Sequence, residues 1–288
     1  MKHAIMIMAH NNFSVVSALL EQLDVPEFDI YIHINAKIRT FPQEQWQAKT
    51  HYAGLYFVPR VRVGYCDYSM VRAVMSLFRS ATQKKYDYYH LISGADLLIK
   101  SREEFLRFFD ENNGTEFVGF SDTFDEDRVR YRHFFTALCR QRSRLLSTVF
   151  AKARIGLVRL QKLFGISNKA DDFTTVKKGT DWYSLTDDAV RYLISKEPLF
   201  CKHFRYAYCP TEFFPHTVLY NSHFRKNLNS GDECRQCMRT IDWNRGQPYT
   251  YTIGDKRFLL SSEGMFARKF DENKDMEIVE FFKDYVKG

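Results

Sequence analysis

Glu212 stands in the stretch Cys209-Pro210-Thr211-Glu212-Phe213-Phe214-Pro215-His216-Thr217, one carboxylate among aromatic rings and between two prolines. Apolar neighbours raise a carboxylate's pKa by desolvation, and prolines stiffen the backbone that aims it. A group prepared in this way can act as a general base toward a hydroxyl. The same residues also read as a helix start, with Thr211 as N-cap and Glu212 in the first turn. Cations able to balance the charge of a departing diphosphate follow at Arg245, Arg268 and Lys269. Arg268 and Lys269 equally suit an exposed helix end within a final helical stretch over 265–271. Asp125-Glu126-Asp127 has the spacing of a carboxylate pair for a divalent metal. It lies several residues past a strand and runs into a basic segment, so it reads as an exposed loop, and no metal ligand is assigned.

These groups need a scaffold to bring them together. Residues 4–9 are a continuous apolar run, the pattern of a strand covered on both faces. His10-Asn11-Asn12 breaks it, and Ser14 can cap a helix through about Leu23. Further strands are expected at 29–34, 55–58, 88–92 and 116–120, with helices at 69–81 and 103–111. This alternation indicates an α/β fold, a βαβ series around a mainly parallel sheet flanked by helices. Ligands of such sheets sit beyond the carboxyl ends of the strands. Those ends carry His10, Asn35 and Ser93-Gly94-Ala95-Asp96, polar clusters that converge on one crevice of nucleotide size. Neither Gly-x-Gly-x-x-Gly nor a Walker A sequence is present.

In the second half, 177–185 reads as a turn into an apolar strand, and Thr186-Asp187-Asp188 opens a helix to about Ser195. Residues 221–237 read as a polar loop, and 238–249 as a short strand and turn carrying Arg239, Trp243 and Arg245. With no linker or repeat, one domain over 1–288 is expected. It divides into a nucleotide-binding half (1–125), a basic helical insertion (126–170) and an acceptor and catalytic half (171–288).

Hydrophobic content of 45% with 27% charged residues is that of a soluble globular protein. The aromatic share of 16% supplies rings for a core or for pockets that stack sugars or bases. A net charge of +7 and a pI near 9.0 point to an anionic partner. The charge is concentrated: residues 128–162 hold ten Lys or Arg and no Asp or Glu, interleaved with Phe, Leu and Val. That segment reads as an amphipathic basic face for anionic lipid or nucleic acid, or as a solvated helical insertion. Six cysteines are too sparse for a disulfide scaffold, and Cys234-x-x-Cys237 without a second pair reads as two ordinary thiols. The N-terminal apolar run is too short for a membrane span or a signal sequence, so a cytoplasmic location is expected.

One carboxylate base, a basic C-terminal cluster and a strand-end crevice together suit transfer of a sugar from a nucleotide diphosphate. In an inverting displacement the base deprotonates the acceptor hydroxyl, which attacks the anomeric carbon opposite the leaving nucleotide. Trp182 and Tyr183 would stack on the acceptor sugar, with Asp181 and Trp243 as further acceptor contacts; either aromatic of the pair also fits a core. The alternative is a non-catalytic carbohydrate- or nucleic-acid-binding protein on the same scaffold. For nucleic acid, no RRM, KH or helix-turn-helix signature is present.

Seven segments in register resemble the core-2/I-branching N-acetylglucosaminyltransferase family, which includes the peptide-O-xylosyltransferases. They are Ile7-Met8-Ala9-His10, Ile30-Tyr31-Ile32-His33-Ile34-Asn35, Tyr89-His90-Leu91-Ile92-Ser93-Gly94-Ala95-Asp96 and Lys178-Gly179-Thr180-Asp181-Trp182-Tyr183-Ser184-Leu185. Then follow Pro210-Thr211-Glu212, Ile241-Asp242-Trp243-Asn244-Arg245-Gly246 and Phe266-Ala267-Arg268-Lys269-Phe270-Asp271. The resemblance implies a GT-A-type fold, inversion at the anomeric carbon and no divalent metal or other cofactor. It implies Glu212 as catalytic base, Lys269 as a contact to the donor diphosphate, and the His10 turn with 93–96 as walls of the nucleotide pocket. The first donor implied is UDP-N-acetylglucosamine, with UDP-xylose or UDP-glucose behind it. Asn35 stands where the family has Asp at its uridine contact, Thr180-Asp181 where it has Ser-Gln or Ser-Ala, and Arg245 substitutes for its second diphosphate cation. A bacterial enzyme of surface polysaccharide synthesis is expected, brought by 128–162 to an anionic membrane that carries a lipid-linked acceptor.

Overall fold

The N-terminal apolar run becomes β1 (His3–Ala9), covered on both faces because it lies inside the larger of two sheets. The computed structural model describes residues 1–140, 143–168 and 170–287. Along the chain follow β2 (Phe28–Ile34), β3 (Gly54–Phe57), β4 (Tyr88–Ser93), β5 (Asp96–Leu98), β6 (Phe117–Phe120), β7 (Gly179–Thr186), β8 (Arg239–Ile241) and β9 (Phe266–Arg268). The larger sheet has the order β3-β2-β1-β4-β7-β6. Its first four strands are mutually parallel, and β7 alone runs against its neighbours β4 and β6. The carboxyl ends of β1, β2, β4 and β6 therefore share an edge with the amino end of β7. Residues from both halves of the chain meet there.

Helices cover both faces. Phe13–Leu23, Arg102–Glu111 and Glu277–Tyr285 bury Leu19, Phe105, Phe109, Val279 and Phe282 against one side. Ser69–Ala81, Asp187–Phe204 and Phe214–Tyr220 bury Val74, Phe78, Leu193, Phe200 and Leu219 against the other. The apolar stripes of Phe13–Leu23, Ser69–Ala81, Arg102–Glu111 and the first turns of Asp187–Phe204 match the helical period, which is why these four are legible in the sequence. Glu277–Tyr285 has no counterpart in the sequence reading. Ser101 and Glu104 close a capping box at the start of Arg102–Glu111, satisfying two of its free backbone donors.

Three local readings are corrected. The first helix begins at Phe13 behind Asn12, whose φ is 55°, so Ser14 lies inside it and caps nothing. The helix after β7 runs on through Pro198 to Phe204, held by its buried Phe200 and Phe204. The 221–237 loop contains a 3-10 turn, His223–Asn227, and a short helix, Glu233–Cys237.

A larger correction concerns 265–271, which is strand and turn. Phe266 and Ala267 are buried in β9, the middle of a three-stranded sheet ordered β5-β9-β8. A short apolar run carries no decisive period, and pairing on both sides selected the strand. Arg239 of β8 ties this small sheet to the large one. Its buried guanidinium donates to the carbonyls of Cys237 (2.7 Å) and Tyr183 (3.0 Å) and to Ser184 Oγ (3.1 Å). Burial pushes its pKa down to about 10.

Candidate active site

Glu212 ends a single 3-10 turn, Pro210–Glu212, between Cys209 in the left-handed region (φ 54°) and the helix Phe214–Tyr220. Pro215 fills the first turn of that helix, where its missing N–H costs nothing, so the helix begins beyond Glu212 and Thr211 does not cap it. Cys209 is bonded to Cys66, so the turn that carries Glu212 is tied to the one that precedes Ser69–Ala81.

The surroundings of Glu212 differ from the apolar pocket expected. Its carboxylate remains 25% exposed, and Oε2 is paired with Arg128 at 2.9 Å and Lys178 at 3.3 Å. Arg128 is fixed in turn by a hydrogen bond to the Tyr208 carbonyl (3.1 Å) and by the Phe213 ring, 5.1 Å from its guanidinium carbon. Both cations hold the same oxygen. Among the described residues nothing donates to Oε1, which leaves that oxygen available to a hydroxyl.

Strand alternation on β7 places the next groups. Asp181 and Trp182 are consecutive, so their side chains leave opposite faces of the sheet. Asp181 lies on the Glu212 side. The residue is partly exposed at its outer edge, but Oδ1 is shut off from solvent and has no hydrogen-bond partner among the described residues. Burial first, and then the negative charge of Glu212, push its pKa up to about 6. Gly179 permits this approach: a Cβ there would fall 1.7 Å from the Gly119 carbonyl oxygen and 2.6 Å from the His216 ring.

Trp182 lies under Arg268, whose guanidinium carbon is 4.4 Å from the ring centroid. Arg268 is also 3.5 Å from Asp96, its register partner across β5 and β9. Asp96 accepts from Ser93 N (2.8 Å) and Ser93 Oγ (2.7 Å), which closes 93–96 into a tight turn. Gly94 is needed in that turn, because a Cβ would sit 2.9 Å from both Ala9 and Val16 side chains. Lys269 follows β9, half-buried, with its backbone bonded to Tyr249 and Tyr251. Its ammonium has no ion pair or hydrogen bond among the described residues.

The other predicted site residues fall as follows. His10 is exposed just past β1. The Asn35 amide bridges to Val63, donating to its carbonyl (3.3 Å) and accepting from its N–H (3.2 Å). An amide does both where an ionised carboxylate only accepts, which is a local reason for Asn at a position where the family resemblance has Asp. Arg245 is committed within the chain, to Asp242 at 2.5 Å and Asp255 at 2.7 Å. Tyr183 is corrected from acceptor contact to core: it is buried with its ring 6.3 Å from that of Phe78. Trp243 is 54% exposed beyond β8.

Arg128, Lys178 and the Cys66–Cys209 bond escaped the sequence reading. Arg128 opens the basic segment and Lys178 heads the family-like segment 178–185, but neither position says which carboxylate it meets. Among the described residues no three His, Cys, Asp or Glu side chains gather in a way that could hold a metal ion. A cavity of about 510 Å³ lined by Arg132, Lys202, His203 and Tyr206 lies elsewhere and holds none of these groups.

A mostly parallel sheet with one reversed strand, and a carboxylate and a cation pair at its edge, define a GT-A-type glycosyltransferase architecture. The chain belongs to the core-2/I-branching enzyme family, whose profile matches residues 4–259. It is 23% identical to the xylosyltransferase sqv-6 of Caenorhabditis briggsae over 92% of this chain and 34% of that protein. It is 22% identical to xylosyltransferase 2 of Rattus norvegicus (94% and 32%) and of Homo sapiens (99% and 34%). The chain thus spans about a third of the length of these relatives.

Proposed function

We propose that this domain moves a sugar from a UDP-sugar to a hydroxyl of a glycan or glycolipid, with inversion and without a divalent metal. The observation that carries the reading is the state of Glu212, held by two cations through Oε2 while Oε1 meets no donor among the described residues. Glu212 Oε1 takes the proton of the acceptor hydroxyl as its oxygen bonds to the anomeric carbon. The bond from that carbon to the diphosphate oxygen breaks, and UDP leaves with the electron pair. Arg268 and Lys269, the latter without an ion pair among the described residues, supply positive charge where the diphosphate departs. N-Acetylglucosamine is the first donor to test, and the relatives' name, xylosyltransferase, is the reason to test xylose beside it.

A thermal-shift screen against nucleotide sugars, with and without chelator, reads donor class and metal dependence together. Glu212→Gln then tests the base: kcat should fall by about 10²–10⁴-fold with donor binding kept. A loss of only a few-fold would refute the assignment.

A further inference from the structure

The basic segment is built as a surface. Its helix Arg144–Leu163 has no buried residue, and of the 17 exposed large hydrophobic side chains among the described residues, ten lie from Phe135 to Ile166. Leu145 (74% exposed), Val149, Leu160 and Leu163 (77%) fall within roughly 60° of one another around the helix axis. Phe164 (71%) and Ile166 (55%) extend the strip past its end. Lys152 and Arg159, seven residues apart and both exposed, run alongside it.

We infer that this helix docks flat on a bilayer that contains anionic lipid, with the leucine strip in the acyl boundary and the flanking cations among headgroups. Charge selects the occupant. Residues 128–162 carry ten cations, of which Arg128 pairs with Glu212, Lys162 pairs with Asp127 and Arg154 faces His133. Against a net charge of +7 for the whole chain, the rest of the molecule is still net acidic. Protein interfaces are depleted of lysine and of charge at their centres, whereas interfacial helices combine an apolar strip with a cationic flank. Nucleic acid would need aromatic platforms, and this strip is mostly aliphatic. No helix among the described residues is long and apolar enough to cross a membrane, which agrees with lying on one.

The docked face would serve the catalytic edge. On its inner side Arg154 meets His133 Nδ1 (2.9 Å) and the Tyr208 ring (4.6 Å to the centroid). Tyr208 also binds Arg128, the partner of Glu212. A bilayer beneath the helix therefore lies on the Glu212 side of the domain.

Co-sedimentation tests this without turnover, so its outcome is independent of the proposed transfer reaction. The wild-type chain should bind vesicles of phosphatidylcholine mixed with phosphatidylglycerol and not phosphatidylcholine alone. Leu145→Glu with Leu163→Glu should weaken binding about tenfold or more at unchanged thermal stability, and Lys152→Glu with Arg159→Glu should do the same. Absence of binding at low salt would overturn the inference. So would retention of binding by the double leucine variant, or a wild-type dimer that this variant dissociates.

Discussion

Asp181→Asn separates a buried acid from an ordinary strand residue. In the folded protein the Asp181 carboxyl is pushed up to about 6, by burial and then by Glu212, against an unfolded value of 3.8. The folded state therefore holds the proton more tightly. Ionising Asp181 costs nothing below the unfolded value, costs progressively more between 3.8 and about 6, and is fully felt above that window. The difference corresponds to about 3 kcal/mol at neutral pH, an upper value because the residue's outer edge is solvated. Asparagine keeps the shape and removes the ionisation. Its melting temperature relative to wild type should rise between pH 4 and pH 7 by up to about 6 °C for a domain of this size. Calorimetry of both proteins across that range is the assay. A difference that stays flat with pH, or that favours wild type more at pH 7 than at pH 4, would show that Lys178 and Arg268 already stabilise the carboxylate and would refute the reasoning.

Three other perturbations follow from contacts already described. Arg128→Met removes a charged hydrogen bond at 2.9 Å from Glu212; it should cost about 1–3 kcal/mol in urea unfolding and lower kcat more than it raises the donor KM. Asn35→Asp takes the donor away from the Val63 carbonyl and should destabilise by about 1–2 kcal/mol by the same measurement. Reduction of Cys66–Cys209, which closes a loop of 143 residues, should cost about 2–5 kcal/mol, read as a lower melting temperature with dithiothreitol that Cys66→Ser reproduces without it.

The disulfide bears on how far cysteine counting reaches. Six scattered cysteines excluded a scaffold, yet two of them meet at the turn before Glu212, a contact no spacing could announce. Such bonds persist mainly in oxidising compartments, so this one is a finding to set beside the expectation of a cytoplasmic location. The 69–81 helix was read with its observed boundaries, because its apolar stripe is long enough to state a period. The 265–271 stretch was misread because three strand residues are too few to state one.

Chain order alone determined the alternation of strands and helices, the parallel sheet, and the polar ends at His10, Asn35 and 93–96, since burial on both faces and turn chemistry are local properties. It also singled out Glu212 and Lys269 as the candidate base and the candidate diphosphate contact. Their surroundings were decided only by the fold. The reversed direction of β7 brings Lys178 and Asp181 to the strand-end edge, and strand alternation then sends Asp181 toward Glu212 and Trp182 toward Arg268. Arg128 reaches the same carboxylate from 84 residues away. Distances of that kind depend on which surfaces close over one another, and a linear pattern of residue types does not contain them.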